Sequence, residues 1–287
     1  MVNEMKLNSL VGLPSGFEEL DAVISEWQRG NFVVIGGRPA MGKTAFALSL
    51  AHNMAVERRM PLAMFSLEMS TDRLMNRLKK MYNQEGESPD IYDVPFYVDD
   101  TPSISVSGLQ TKARRLVSEQ QVRLIMIDYV QLMTADDKLC NSRREEMTII
   151  SHGLKSLAME LDIPILAFSQ LNLPTQDPHA YTMETVRPQL CDLRESTALA
   201  EDADIVCLLH RPEYYHIYHD QYGNDMKGVT DLIIAKNHHG NLCDVPLHFD
   251  SERAVFVRQE KLGHVSIEEG KILGHQVIDA VLKSNGL

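Results

Sequence analysis

The stretch Phe32-Val-Val-Ile35-Gly36-Gly37-Arg38-Pro39-Ala40-Met41-Gly42-Lys43-Thr44 runs from four apolar residues into a glycine-bounded loop that ends on a lysine and a hydroxyl. A helical pattern, Ala45–Val56, follows at once. Strand, loop and helix in this order are the context a phosphate-binding loop requires. The glycines let backbone N–H groups close around phosphates, and the helix N-terminus adds its positive end. Lys43 is placed to reach the β- and γ-phosphates, and Thr44 to hold Mg²⁺. Gly37, Arg38, Ala40, Gly42, Lys43, Thr44 and Ala45 form the expected nucleotide-binding set.

Outward from this loop, apolar runs rich in β-branched residues recur at Leu62–Phe65, Pro95–Val98, Leu124–Ile127, Ile163–Phe168, Ile205–Leu209 and Leu232–Ala235. Helical patterns separate them at Thr71–Met81, Leu109–Ser118 and Arg144–Leu161. The last puts Met147, Ile150, Leu154, Leu157 and Leu161 on one face. Alternation of the two implies an α/β fold with a mostly parallel central sheet flanked by helices. Val229–Ala235, Val245–Phe249 and Ala254–Val257 follow one another through short turns such as His239-Gly240-Asn241 and read as an antiparallel C-terminal extension. Beyond Glu260, the capping box Ser266-Ile-Glu-Glu269 opens an amphipathic stretch to Leu282. The expected division is a main domain over residues 1–260 and a helical tail over 261–287.

Two further strands deliver carboxylates at their C-terminal ends, where open α/β sheets place ligand groups. Leu124-Ile-Met-Ile-Asp128 has the form that carries a carboxylate to a metal-bound water shell, so Asp128 joins Thr44 as a metal residue. Leu62-Ala-Met-Phe-Ser-Leu67 delivers Glu68, the expected general base for an attacking water; the plainer use is a helix N-terminal charge before Thr71. Ile163-Pro-Ile-Leu-Ala-Phe-Ser169 delivers Gln170, a neutral group able to sense a γ-phosphate.

The 287 residues carry a net charge of −12, which argues against wrapping nucleic acid by charge alone, so any such contact is local. Cys140, Cys191, Cys207 and Cys243 form no CxxC pair, and reduced thiols in the cytoplasm are the expected state. No apolar run approaches membrane-spanning length, and the first residues lack a signal-peptide core.

The order of motifs resembles the motor domain of DnaB-type replicative helicases, within the RecA-like ATPases. Ser15-Gly-Phe-Glu-Glu-Leu-Asp21, Gly37–Thr44, Phe65-Ser-Leu-Glu-Met69, Ile127-Asp-Tyr-Val-Gln-Leu-Met133, Ser169-Gln-Leu-Asn172 and Asp192-Leu-Arg-Glu-Ser196 carry the likeness from about Val11 to Val257. It implies a RecA-like core and a homo-oligomeric ring, usually hexameric, that closes around single-stranded DNA. Such a ring moves 5′ to 3′ on ATP and Mg²⁺ and works with a helicase loader or primase, in the cytoplasm and on nucleoid DNA. Arg77 falls where the family has an arginine near the nucleotide base. The loops Thr134–Arg144, with Arg143 and Arg144, and Leu173–Cys191, followed by Arg194 and Glu195, fall where the family lines its channel.

Departures from the family accompany the match. The motor begins after only Met1–Ser9, the stretch Asn83–Pro95 is short, and Leu173 stands at a common Arg position. Ala235-Lys236-Asn-His238-His239-Gly240 replaces the usual Lys-x-Arg, so the catalytic pair expected to enter a neighbouring ATP site is Lys236 and His238. A neutral-pH histidine offers less charge than an arginine, which implies a slow ATPase unless Lys236 suffices. Two other readings stay open: a non-unwinding ATP-binding partner of another helicase, and a RadA-like recombination ATPase. Phe65–Met69 and Asp192–Ser196 speak against the second.

Overall fold

The computed structural model describes residues 12–82, 93–136, 140, 142–172 and 182–257. All of them belong to one compact unit that ends at Val257. The short N-terminal lead, most of the stretch 83–95, residue 173 and the tail from 258 onward lie outside the described residues.

Nine strands form one sheet: β1 (Phe32–Gly37), β2 (Leu62–Ser66), β3 (Phe96–Asp99), β4 (Leu124–Asp128), β5 (Ile165–Gln170), β6 (Ile205–His210), β7 (Val229–Asn237), β8 (Asp244–Asp250) and β9 (Val255–Val257), in the spatial order β3-β2-β4-β5-β1-β6-β7-β8-β9. The six from β3 to β6 are parallel, and β6 through β9 pair antiparallel. The expected architecture is therefore the observed one, and most strands differ from their sequence pattern by only a residue or two.

Strand side chains alternate between faces, and here both faces are covered. Val33, Ile35, Leu62, Met64, Leu124, Met126, Leu166 and Phe168 pack on one side, with Phe17, Leu20, Trp27, Phe46 and Leu50. These come from α1 (Glu18–Ile24), α2 (Lys43–Ala51) and the segments beside them. Phe32, Val34, Phe65, Ile125, Ile127, Ile165 and Ala167 pack on the other, against α4 (Val106–Gln120) and α5 (Arg143–Leu161). A third flanking helix, α3 (Thr71–Tyr82), adds Leu74 and Leu78 to the first face.

Helix α5 illustrates how local signals place these elements. Ser142 caps its start by accepting from the Glu145 N–H at 3.2 Å, and Asp162 closes its end in a left-handed conformation with φ 54°. Met147, Ile150, Leu154 and Leu157 are buried, and Leu161 is partly so, as their helical spacing requires. Leu154 is fully enclosed, so Leu154→Ala would cost roughly 2–5 kcal/mol.

Candidate functional site

Because β1, β2, β4 and β5 run parallel, their C-terminal ends share one sheet edge, and the register aligns them there. Gly37 lies opposite Gln170, and Ser66 lies opposite Asp128. Glu68 follows two residues after the end of β2, in a turn fixed by a 2.8 Å bond from the Leu67 N–H to the Asp128 carbonyl.

The phosphate loop joins this edge to α2. Gly42 adopts φ 99°, where a Cβ would be strained and would also meet the Phe256 ring at 3.1 Å. Helix α2 begins at Lys43 with no side-chain cap and no acidic residue in its first turn. Its leading N–H groups and positive end therefore face the loop, an arrangement made for an anion. Lys43 is buried, and its ammonium donates to the Gly37 carbonyl at 2.8 Å and the Arg38 carbonyl at 3.2 Å.

Thr44 donates its hydroxyl to Asp128 at 2.7 Å, so the two expected metal residues meet although 84 positions separate them. Burial pushes the Asp128 carboxyl above its ordinary range. The Thr44 hydrogen bond and the Lys43 charge oppose that rise, and Glu68 adds to it. Burial likewise pulls the Lys43 ammonium below the usual lysine range, against the attraction of Asp128 and Glu68. A carboxylate and a hydroxyl at the mouth of an anion cradle suit Mg²⁺, a hard cation that takes one or two protein oxygens and fills its remaining positions with phosphate and water. Among the described residues no cluster of three metal-binding side chains offers a rival site.

Glu68 is exposed at the rim, within electrostatic reach of Lys43, Asp128 and Tyr129. Arg77 projects from α3 into the same field. Burial lowers its pKa while the Asp128 charge counters, so the guanidinium stands on the carboxylate side of the site. Gln170 is exposed at the end of β5, and its backbone is clamped by Gln131. The Gln131 amide accepts from the Gln170 N–H at 3.1 Å and donates to the Gln170 carbonyl at 3.1 Å and the Ser169 hydroxyl at 2.8 Å. Gln131 had no assigned role in the sequence reading; nothing in a glutamine after strand β4 signals a clamp on a strand 38 residues later.

The remaining candidates sit elsewhere. Arg143 donates to the Gln131 carbonyl at 2.5 Å, the Met133 carbonyl at 3.3 Å and the Glu146 carboxylate, so it fastens the start of α5 to the turn after β4. Arg144 is exposed beside it. Arg194 and Glu195 lie on a 3₁₀-helical segment, Leu190–Ser196. Arg38 turns its side chain away from the loop interior, into a buried set of partners.

Lys236 and His238 stand at the opposite sheet edge. Strand β7 is antiparallel to β6, which pairs Val206 with Lys236 and Val34 with Val206. His238 donates its backbone N–H to the Asp204 carbonyl, and the Asp204 carboxylate in turn accepts from the N–H of Phe32 at the start of β1. The length of β1 from Phe32 to Gly37 separates this point from the phosphate loop, about 16 Å. Neither side chain is brought to the site of its own chain.

The chain has relatives among known proteins. The family model described as the DnaB-like helicase C-terminal domain matches residues 12–85 and 79–258. The chain belongs to that family. The replicative DNA helicase DnaB of Geobacillus stearothermophilus is 36% identical over 274 residues, 88% of this chain and 58% of that protein. The chain thus spans a little over half the length of the curated relatives it matches. Among solved structures, a protein described as an ATPase domain superposes with a TM-score of 0.73 at 31% identity, covering 90% of this chain and 96% of that one. A DnaB-like replicative helicase, solved in a study of its interactions with primase, gives the same TM-score and identity over 67% of its chain. The RadB recombinase, at 15% identity and a TM-score of 0.57, shares the fold. No helix among the described residues is long and apolar enough to cross a membrane.

Proposed function

We propose that this chain is the ATP-driven motor of a replicative DNA helicase, with residues 1–260 as the motor and 261–287 as an appended tail. It acts as a ring, usually of six copies, on single-stranded DNA, which it follows 5′ to 3′ to unwind duplex. The observation that carries this reading is the separation of the site into two halves at opposite sheet edges. A phosphate cradle with Lys43, Thr44, Asp128 and Glu68 occupies one edge, and Lys236 with His238 occupies the other. In a head-to-tail arrangement the far edge of one copy meets the cradle of the next, and such a contact makes a ring when the rotation between copies closes.

Within the cradle, the backbone N–H groups of Gly37–Thr44 and the Lys43 ammonium hold the β- and γ-phosphates. Thr44 and Asp128 would hold Mg²⁺, which supplies charge neutralisation of the phosphates when bound. Glu68, exposed at the rim, orients the attacking water and takes its proton. Gln170, steadied by Gln131, hydrogen-bonds the γ-phosphate, and Arg77 adds positive charge beside Asp128. Arg194 and Glu195 belong to the segment that meets the DNA backbone, with Arg144 as a further contact; Arg143 acts by holding the turn in place. A loader or primase meets the ring, which works on nucleoid DNA.

A second reading is favoured by one observation, His238 in the position of the finger arginine. A stabilising arginine supplied in trans is worth on the order of 10³-fold in rate. A ring whose finger is a half-exposed histidine hydrolyses slowly, and would serve as an ATP-holding partner in mixed rings with another helicase. ATP turnover with and without single-stranded DNA, together with strand displacement, tests both. DNA-stimulated hydrolysis with unwinding supports the motor, slow hydrolysis without unwinding supports the partner, and turnover indifferent to DNA overturns the motor reading.

A further inference from the structure

The Arg38 side chain is one of the few charges enclosed by this fold. Its Nε donates to the Asn172 carbonyl at 3.2 Å, one Nη donates to the Val186 carbonyl and to the Tyr215 hydroxyl at 3.1 Å, and the other Nη reaches Asp192 at 3.3 Å. Burying a guanidinium is costly unless its protons find acceptors, and here four bonds meet it from four separate segments. The backbone of the same residue performs a different task. The carbonyls of Gly37 and Arg38 are the two acceptors of the Lys43 ammonium.

One residue thus grips Lys43 through its main chain and Asp192 through its side chain. Asp192 also caps its own segment by accepting from the Gln189 N–H at 3.0 Å, and Arg194 follows two residues later, just past the Leu193 kink. The segment kinks at Leu193, whose backbone is non-helical (φ −78°, ψ 26°), and then runs on into α7 (Thr197–Asp202), α6 being the short helix Met183–Val186. Helix α7 is tied as well: the Lys236 ammonium donates to the Ala200 and Glu201 carbonyls at 2.9 and 2.8 Å.

We infer that Arg38 and Asp192 are positioning residues that couple single-stranded DNA on the Leu190–Ser196 segment to the phosphate loop through their ion pair. The inference rests on the motor reading above. A DNA phosphate pulling on this segment shifts Asp192, and Arg38 passes that shift to the carbonyls that hold Lys43. Linkage makes the effect reciprocal: ATP must tighten DNA binding by the factor that DNA tightens ATP binding.

The test uses the full chain and its Asp192→Asn variant, nearly the same in shape but without the charge, together with Arg38→Lys. Oligothymidylate affinity is measured with and without a non-hydrolysable ATP analogue, beside thermal unfolding of each protein. In the wild type the analogue tightens oligothymidylate binding by about five-fold or more. In Asp192→Asn that factor falls toward one while the affinity for the analogue alone and the unfolding temperature hold. Arg38→Lys, which keeps the charge and loses the fork, lowers the factor to the same extent, and the double variant is no worse than either single. A variant that binds DNA more weakly with an unchanged coupling factor overturns the inference, as does additive behaviour of the two substitutions. A wild type that binds no oligothymidylate overturns the motor reading itself.

Discussion

The two edges of the sheet carry charge in opposite styles. At the phosphate-loop edge, Lys43 and Asp128 are buried, with their pKa values displaced by desolvation, and they are held by bonds of 2.7 to 3.2 Å to neighbours. At the far edge, the His238 side chain is 48% exposed and lies 3.6 Å from an Asp204 oxygen. Beside it Lys236 hydrogen-bonds to helix-end carbonyls. A preorganised edge has little rearranging left to do when its ligand arrives, whereas an open edge needs a second surface to complete it. The same contrast holds for two histidines. His210, one residue past the Leu209 that pairs with Gly37, is buried with no hydrogen-bond partner for its Nε2 among the described residues, while His238 faces outward.

The largest expected effect tests the preorganised edge. Lys43→Ala should lower ATP turnover by roughly 10²–10³-fold, measured as phosphate release, with the fold intact by circular dichroism. A fall of under about ten-fold would break the claim that this edge carries the chemistry.

Next comes the buried histidine. Burial, helped by the charges of Arg187 and Arg38, depresses His210 from 6.5 to about 4. Its neutral form is therefore the folded form. The stability this secures is complete above pH 6.5 and is lost as pH falls from 6.5 through 4, up to about 3 kcal/mol in all. Unfolding temperatures measured from about pH 7 down to about pH 4.5 should decline less steeply in His210→Asn than in the wild type. Parallel slopes would show that His210 finds a proton partner in the folded chain.

The open edge should respond in the other direction. His238→Arg replaces a weak, partly charged donor with a permanent fork, so DNA-stimulated turnover should rise by about ten-fold or more. An unchanged rate in an assembled variant means that Lys236 alone serves the neighbour. Smallest is a mixing effect: Lys43→Ala and Lys236→Ala proteins, each weak alone, should together recover roughly a quarter of wild-type turnover in random mixed rings, because about one interface in four then combines an intact cradle with an intact finger. No recovery on mixing would show that Lys236 does not act on a neighbour's cradle, and a Lys236→Ala protein as active as the wild type would place Lys236 outside the chemistry.

Much of this molecule was readable along the chain. Every parallel strand and all three antiparallel ones announced themselves by apolar runs, and Gly37–Thr44, Glu68, Asp128 and Gln170 stood at strand ends where a parallel sheet gathers them. These signals are local, spaced by about two residues or by three to four, and so survive in one dimension. The short helix Glu18–Ile24 and the 3₁₀ turn at Leu190–Ser196 left too few residues for a period to register.

What the sequence by itself determined is the set of groups: a glycine-bounded loop ending on Lys43 and Thr44 with its helix, a carboxylate just after each of two apolar strands, and Lys236-Asn-His238. Only the tertiary structure decided which groups share an edge and which are kept apart. It placed Thr44 on Asp128, Gln131 on Gln170 and Arg38 on Asp192 across separations of 84, 39 and 154 residues, and it set Lys236 and His238 at the far edge. The reason is physical. Such contacts depend on strand order and register, which emerge when both faces of the sheet are buried at once, and no local run of residues carries that information.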